Sequence, residues 1–554
     1  MKREFNKPIG SLTVKFGVVL TCIYGVTFYL AFKILSSPAY PYRLEIFEHL
    51  FARLEVLSAA AGFVLLFLAF VFSEYGPRCL KLFRTIEDKK GYFLVGAVLF
   101  LIPATKIVYS HWPLSMDEYA AWFQAHVFAM GRLTADWETN DIFHFFHPGF
   151  LGNFFTGVPA TGELAARYWP GFSLLMTPFA MIGTDWLLNP LLGVLNLLLI
   201  DRICKKLSLD GQTSVWALLF TVASPVFIAY AISYYSWNAH MAANLAFVLL
   251  LLDPTPRKAF WAGVVGSLAL VLHQPFAHTL FAAPWIVFLL FRHPRSAGTL
   301  LLGYLPLSLL VGVGWKIVLM DLYIRAGGIF RGESWDSYGH AFGWGEPHWV
   351  GFNFLKLFTW TVPGLPLLAC LKEGRQRECS PYPVLMLWSA GLTLAGYVFL
   401  TFSQGHGWGN RYFHSAFGVV PILAALAITH PTSERVARAR PTVALLAFLS
   451  ALLLNAVLLF GIRSFIAEHT AQIPPVPGGD GQKVLFLNTR SPYYRPDLIQ
   501  NHPSLTKPVL IAVSGGRESD AAWVKARFPG ASPLSVPTQG PYTVWRLPTQ
   551  GESR

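Results

Sequence analysis

Ser115-Met116-Asp117-Glu118-Tyr119-Ala120-Ala121-Trp122-Phe123 sets two adjacent carboxylates just after an apolar run at 92–109. A bilayer core of about 30 Å takes about 20 apolar helical residues. The run therefore reads as a membrane crossing, and the two acids as lying at the membrane surface. Their residue types allow two roles. Ser115-x-x-Glu118 is a capping box, and acids in a first turn favour the helix dipole. Tyr119, Trp122, Phe123, Val127 and Met130 would then share one face of an amphipathic surface helix. Alternatively, partial burial at a lipid boundary makes a carboxylate a stronger base, so Asp117 and Glu118 are candidates for general-base or metal-binding chemistry.

The rest of the 554-residue chain supports a membrane setting. Hydrophobic types make up 54% and charged types only 13%, about half the level usual in soluble domains. Reading windows outward gives about 13 crossings, near 12–35, 56–73, 92–109, 186–201, 214–231, 238–252, 259–273, 276–291, 298–318, 352–371, 383–402, 412–429 and 441–461. The net charge of +13 comes with no nucleic-acid-binding motif. Its basic residues fall in short loops. With the N-terminus in the cytoplasm, the inner segments carry roughly three times as many Lys and Arg as the outer loops. That count requires 168–183 to lie on the outer surface as an interfacial helix. The five cysteines show no metal-ligand spacing.

Three long segments fall outside the membrane in this topology: 110–185, 319–351 and 462–554. The chain thus reads as two added N-terminal helices and a basic loop (1–91), a membrane domain (92–461), and a C-terminal domain (462–554). The last has strand-like runs at 484–488, 509–513 and 542–547 and a helix-like stretch at 518–528, the mark of a small α/β fold. The fold class expected is mainly α: a polytopic membrane protein with a small extracytoplasmic α/β domain.

An Asp-Glu pair soon after a span, then an aromatic helix ending in Gly131-Arg132-Leu133, resembles the first outer loop of the GT-C glycosyltransferases. These include the protein O-mannosyltransferases and the lipid A aminoarabinose transferases. Arg167-Tyr168-Trp169-Pro170-Gly171-Phe172-Ser173-Leu174-Leu175 is similar to that family's proline-bearing interfacial helix. Asp185-Trp186-Leu187-Leu188-Asn189-Pro190 and Ala223-Ser224-Pro225-Val226-Phe227 resemble its next two spans. Gly409-Asn410-Arg411-Tyr412-Phe413 resembles a G-x-R-Y segment late in bacterial members. The ordered matches cover most of 92–430.

The resemblance implies a polyprenyl-phosphate-linked sugar donor, a lipid, glycan or protein acceptor, and inverting transfer at the periplasmic face of a bacterial inner membrane. It implies Asp117 as general base, with Glu118 beside it in the catalytic pair. Cations must stabilise the leaving phosphate: Arg411 first, then His273, His414 and Arg331. Asp136, His240, Trp335 and Trp344 are candidates for contacting the sugar or acceptor. Some members carry an acidic residue just before the interfacial proline, where a divalent metal can bind; Tyr168-Trp169 stands there here. A metal is therefore an allowed cofactor with no assigned ligand.

Blander roles stand beside these. His144 and His147 fit a polar loop as well as a metal site. Asp136, Glu138 and Asp141 fit a solvated face, and interfacial tryptophan is general in membrane proteins. A polysaccharide ligase or polymerase usually carries its large outer loop late in the chain, whereas this one comes early. A lipid or sugar transporter would place polar groups within its spans. Apart from His273 and Lys316 near span ends, the expected spans look nearly free of ionisable groups.

Overall fold

The computed structural model describes residues 11–41, 43–139, 141–208, 211–328, 343–373, 380–399, 404–490, 494–534 and 542–548. The chain is mainly helical, with two small sheets, and forms two compact units. The first comprises Met1–His111, Trp186–Leu310 and His340–Arg463; the second comprises Trp112–Asp185, Val311–Gly339 and Ser464–Arg554.

Seven helices among the described residues are long and apolar enough to cross a membrane: Leu12–Leu35, Ile46–Val71, Lys90–Ile107, Asp185–Leu207, Pro294–Arg325, Tyr382–Phe399 and Glu434–Thr470. The broken pair Gly211–Val222 and Pro225–Ala231 makes an eighth when counted as one span. Other expected crossings are present as shorter helices, among them Trp237–Leu251 and Phe276–Arg292. Local chemistry explains the breaks. Pro225 lacks an N–H and disfavours a helical residue before it. Ser224 is accordingly extended, and the two helical pieces meet at 71°. The expected 352–371 crossing is divided in a similar way: Pro347–Thr359 and Leu365–Cys370 are separated by a turn in which Gly364 has φ +83°.

Close packing in the first unit rests on small residues. Gly263 and Gly303 let the helices Pro256–Val271 and Pro294–Leu307 touch backbone to backbone. A Cβ at Gly263 would lie 2.1 Å from the Leu300 carbonyl oxygen. Without a hydrophobic drive between helices in lipid, such close approach is a main source of association. The spans are also less apolar inside than the sequence suggested. Glu55 and Lys356 are 0% and 2% exposed, and His240 and His278 are fully buried.

In the second unit, the Met116–Ala129 helix packs on two sheets' worth of apolar side chains. One sheet is antiparallel: Glu163–Ala166 is central, between Ala135–Asp136 and Phe155–Val158. The other runs Val509–Val513, Lys483–Leu487, Tyr542–Arg546, Ser532–Leu534 across its width, with only the first pair parallel. The Arg517–Arg527 helix lies in sequence between Val509–Val513 and Ser532–Leu534. Tyr119, Phe123 and Phe155 share one core with Val484, Phe486 and Leu510. The 484–547 segment thus shares one apolar core with 116–166. Polar ties reinforce it: Tyr119 Oη donates to the Asn501 carbonyl at 2.6 Å, and Trp137 Nε1 to that of Pro503 at 2.7 Å. Arg527 binds the fully buried Asp141 at 3.2 Å.

Candidate active site

The capping box forms as read. Ser115 Oγ accepts from the Glu118 N–H, and the Glu118 carboxylate accepts from the backbone N–H groups of Leu114 (2.9 Å) and Ser115 (3.3 Å). Glu118 is fully buried, so its carboxylate serves the helix terminus. Asp117, one residue earlier, is half-buried and faces elsewhere: Tyr168 Oη donates a hydrogen bond to its Oδ1. Tyr168 is itself fixed. Its carbonyl accepts from Trp315 Nε1 at 2.8 Å, and its ring packs edge-on to Phe154. Pro170 then opens the Gly171–Met181 helix, too short at 11 residues to cross a membrane. Lys316 lies over the Trp169 ring at 5.4 Å. At the position where a metal-binding acid was sought, this chain therefore supplies a hydroxyl donor to Asp117. Among the described residues no three His, Cys, Asp or Glu side chains converge on a common point.

The remaining candidates between 112 and 185 are dispersed. Asp136 is exposed and paired with Arg132 at 3.3 Å. His144 stacks on Trp523, and burial holds its imidazole below the usual range. His147 Nδ1 accepts from the Gly149 N–H at 3.2 Å. A cluster the sequence reading did not raise sits farther along the Asp117 helix. Trp122 contacts His126 and His502, Lys507 lies over the Trp122 ring, and Trp122 Nε1 donates to Asp185 at 2.7 Å. Burial, with His126 and Lys507 nearby, pushes His502 down to about 4.

In the first unit the Gly409–Phe413 segment is held from several sides. Gln404 Oε1 accepts from the Arg411 N–H at 3.0 Å, and Gln404 Nε2 donates to the Gly409 carbonyl at 2.9 Å. Arg411 is 5% exposed; its Nη1 donates to the His406 carbonyl at 2.8 Å, and its guanidinium lies near the Tyr235 and Tyr412 rings. Gly409 has φ +55° and lies against Trp360. His414 Nε2 pairs with Asn238 Oδ1 at 3.3 Å. His240 is fully buried, and neither ring nitrogen has a hydrogen-bond partner among the described residues. His273 meets Trp237 edge-on, and Trp237 also contacts His240 and Tyr412. The unit thus links Arg411, His240 and His273 through Trp237 and Tyr412, whereas His414 packs against Tyr230 and Phe417. Trp344 is 80% exposed and packs on Phe399. Arg331 and Trp335 lie outside the described residues.

This mainly helical fold with two small sheets has solved counterparts. Two solved structures share it. One is ArnT from Cupriavidus metallidurans bound to undecaprenyl phosphate: TM-score 0.52, 12% identity, covering 82% of this chain and 97% of that one. The other is the same protein in its apo state: TM-score 0.50, 12% identity, covering 83% and 98%. No protein-family model matches the chain, and no curated protein matches it in sequence.

Proposed function

We propose that this chain is a membrane glycosyltransferase that moves a sugar from a polyprenyl-phosphate donor to an acceptor hydroxyl or phosphate, with inversion, at the periplasmic face. The observation that carries the reading is Asp117, half-buried and oriented by the Tyr168 hydroxyl. The shared fold with a protein crystallised on undecaprenyl phosphate supports the donor class. Asp117 takes the acceptor proton as the new bond forms at the anomeric carbon. The bond to the donor phosphate breaks, and the polyprenyl phosphate leaves with the bonding electrons through an oxocarbenium-like state. Arg411 stabilises the leaving phosphate, and Glu118 fixes the helix terminus that carries the base. The topology is that read from the sequence, with about 13 crossings, a cytoplasmic N-terminus and a periplasmic C-terminus.

The buried Glu55 and Lys356 favour a second reading, transport of a lipid-linked sugar, because intramembrane ionisable groups mark substrate paths. Lipid mass spectrometry on cells lacking the gene, rescued by wild type or by Asp117→Asn, separates the two. Accumulation of a polyprenyl-phosphate sugar in both the null and the Asp117→Asn cells supports transfer and gives the donor's mass. A wild-type lipid profile in the Asp117→Asn cells supports transport.

A further inference from the structure

The Gly76–Asp88 helix is 13 residues long and lies in sequence between Ile46–Val71 and Lys90–Ile107, two helices long and apolar enough to cross a membrane. It is itself too short to cross. Arg78 and Lys81, three residues apart, share an exposed face. On another face Phe83 is buried against Trp216, with ring centres 4.2 Å apart, and meets Phe448 edge-on at 5.5 Å. A short helix with one charged and one apolar face, joined to a crossing at each end, belongs at the level of the lipid headgroups. Phe72 and Tyr75, exposed just before it, fit the same level, and the Arg78 guanidinium lies 4.9 Å from the centre of the Tyr75 ring.

A cavity of about 300 Å³ lies where this helix meets two others, Gly211–Val222 and Glu434–Leu449. Leu80 and Phe83 line it from the first, Gln212 and Trp216 from the second, Arg440 and Pro441 from the third. The packing is close: a Cβ at Gly76 would lie 2.7 Å from the Pro441 carbonyl oxygen. Arg440 Nη2 donates to Gln212 Oε1 at 3.5 Å, so a guanidinium and an amide stand together in the lining. Among the described residues the lining holds one cation and no carboxylate. Acids on the same elements serve elsewhere. Glu434 pairs with Arg438 at 2.5 Å. Glu87 abuts Gly211 at the start of a helix, where the dipole favours a negative charge.

We propose that this cavity binds the phosphodiester headgroup of an anionic phospholipid, gripped by the Arg440 guanidinium. The inference is independent of the transferase reading. A planar guanidinium matches two phosphate oxygens at once, and basic pockets between membrane helices at headgroup level take anionic lipids. Leu80, Phe83 and Trp216 give the cavity an apolar side that covers the glycerol and first methylenes of a lipid. A free phosphate would leave that side uncovered, which favours the lipid as the source. Arg78, Lys81, Lys89 and Arg435, exposed on or beside the lining helices, add attraction to an anionic surface within a Debye length of about 10 Å.

The test titrates the purified full chain in detergent with dioleoylphosphatidylglycerol or dioleoylphosphatidylcholine, which share acyl chains and differ in headgroup charge, and counts bound lipid by native mass spectrometry. Wild type is expected to hold the phosphatidylglycerol about tenfold more tightly. Arg440→Gln should abolish that preference and Arg440→Lys keep part of it. Arg435→Gln, on the same helix but outside the cavity lining, should leave most of it. Equal affinity of wild type for the two lipids overturns the site, and so does an equal loss in Arg440→Gln and Arg435→Gln. Displacement of the lipid by inorganic phosphate at matching concentration overturns the lipid as its ligand. If Arg440→Gln fails to fold, a photoactivatable phosphatidylglycerol on wild type takes its place. Crosslinks at 80–83, 212–216 or 437–441 that phosphatidylglycerol suppresses and phosphatidylcholine does not uphold the site. Crosslinks only elsewhere, or equal suppression by both lipids, overturn it.

Discussion

Tyr168 donates its phenolic hydrogen to Asp117 across 51 residues of sequence, joining the entrance of the Gly171–Met181 helix to the first turn of the Met116–Ala129 helix. The bond fixes the Oδ1 oxygen of the carboxylate. Removing the hydroxyl alone, in Tyr168→Phe, keeps the ring against Phe154. The expected result is a fall in kcat of about tenfold, with the donor KM changed less than about twofold. Steady-state kinetics on purified protein check it, and an unchanged kcat removes Tyr168 from the positioning of the base.

Glu118 accepts from two buried backbone N–H groups. Glu118→Ala leaves both without that acceptor and is expected to cost about 1–3 kcal/mol of stability. Glu118→Gln keeps an acceptor oxygen and should cost less. Unfolding temperatures in detergent should rank wild type, Gln and Ala in that order. The reverse order of the two variants would show that the acceptor oxygen at this position does not hold the helix terminus.

Sequence alone disclosed the helix start at Ser115, because a capping box is local in sequence. It also disclosed the tail's elements: 484–488 and 518–528 were expected, and Lys483–Leu487 and Arg517–Arg527 are found. The Ala135–Asp136, Phe155–Val158 and Glu163–Ala166 strands were missed. Runs of two to four residues are too short to show alternation. Tyr168 as the partner of Asp117 was not legible, since no pattern links residues so far apart. Glu55 escaped notice because the expected span began just after it, and Lys356 because one lysine leaves a span's hydropathy nearly unchanged. Both became visible only when burial was known.

Gly409 tests the shape of the Arg411 segment. Its φ of +55° suits glycine, and a Cβ there would lie 2.9 Å from Val226 Cγ2 and 3.2 Å from Trp360 Cβ. Gly409→Ala is expected to lower stability by about 1–3 kcal/mol and to reduce donor binding, because the segment must shift. Thermal unfolding and lipid-binding measurements on one preparation check both effects. Wild-type stability and binding would contradict the account of this turn.

The histidine cluster on the Asp117 helix makes the second unit sensitive to acid. His502 titrates at about 4 when folded, against an ordinary value of 6.5. The unfolded chain therefore binds the proton first, and stability from the neutral ring is complete above about pH 6.5 and lost as pH falls toward 4. Lys507 and Asp185 act on the neighbouring His126 in opposite senses. The difference in unfolding temperature between wild type and His502→Asn should shift against wild type across that window. A pH-independent difference would exclude His502 as the source.

The central claim is that Asp117 is the base. The most direct measurement is sugar transfer by purified Asp117→Asn in nanodiscs, with a polyprenyl-phosphate sugar as donor and donor-lipid binding followed on the same sample. Asparagine keeps an oxygen to accept from Tyr168 but cannot take up the acceptor's proton. The account predicts no detectable transfer with donor binding retained; transfer at the wild-type rate would contradict it.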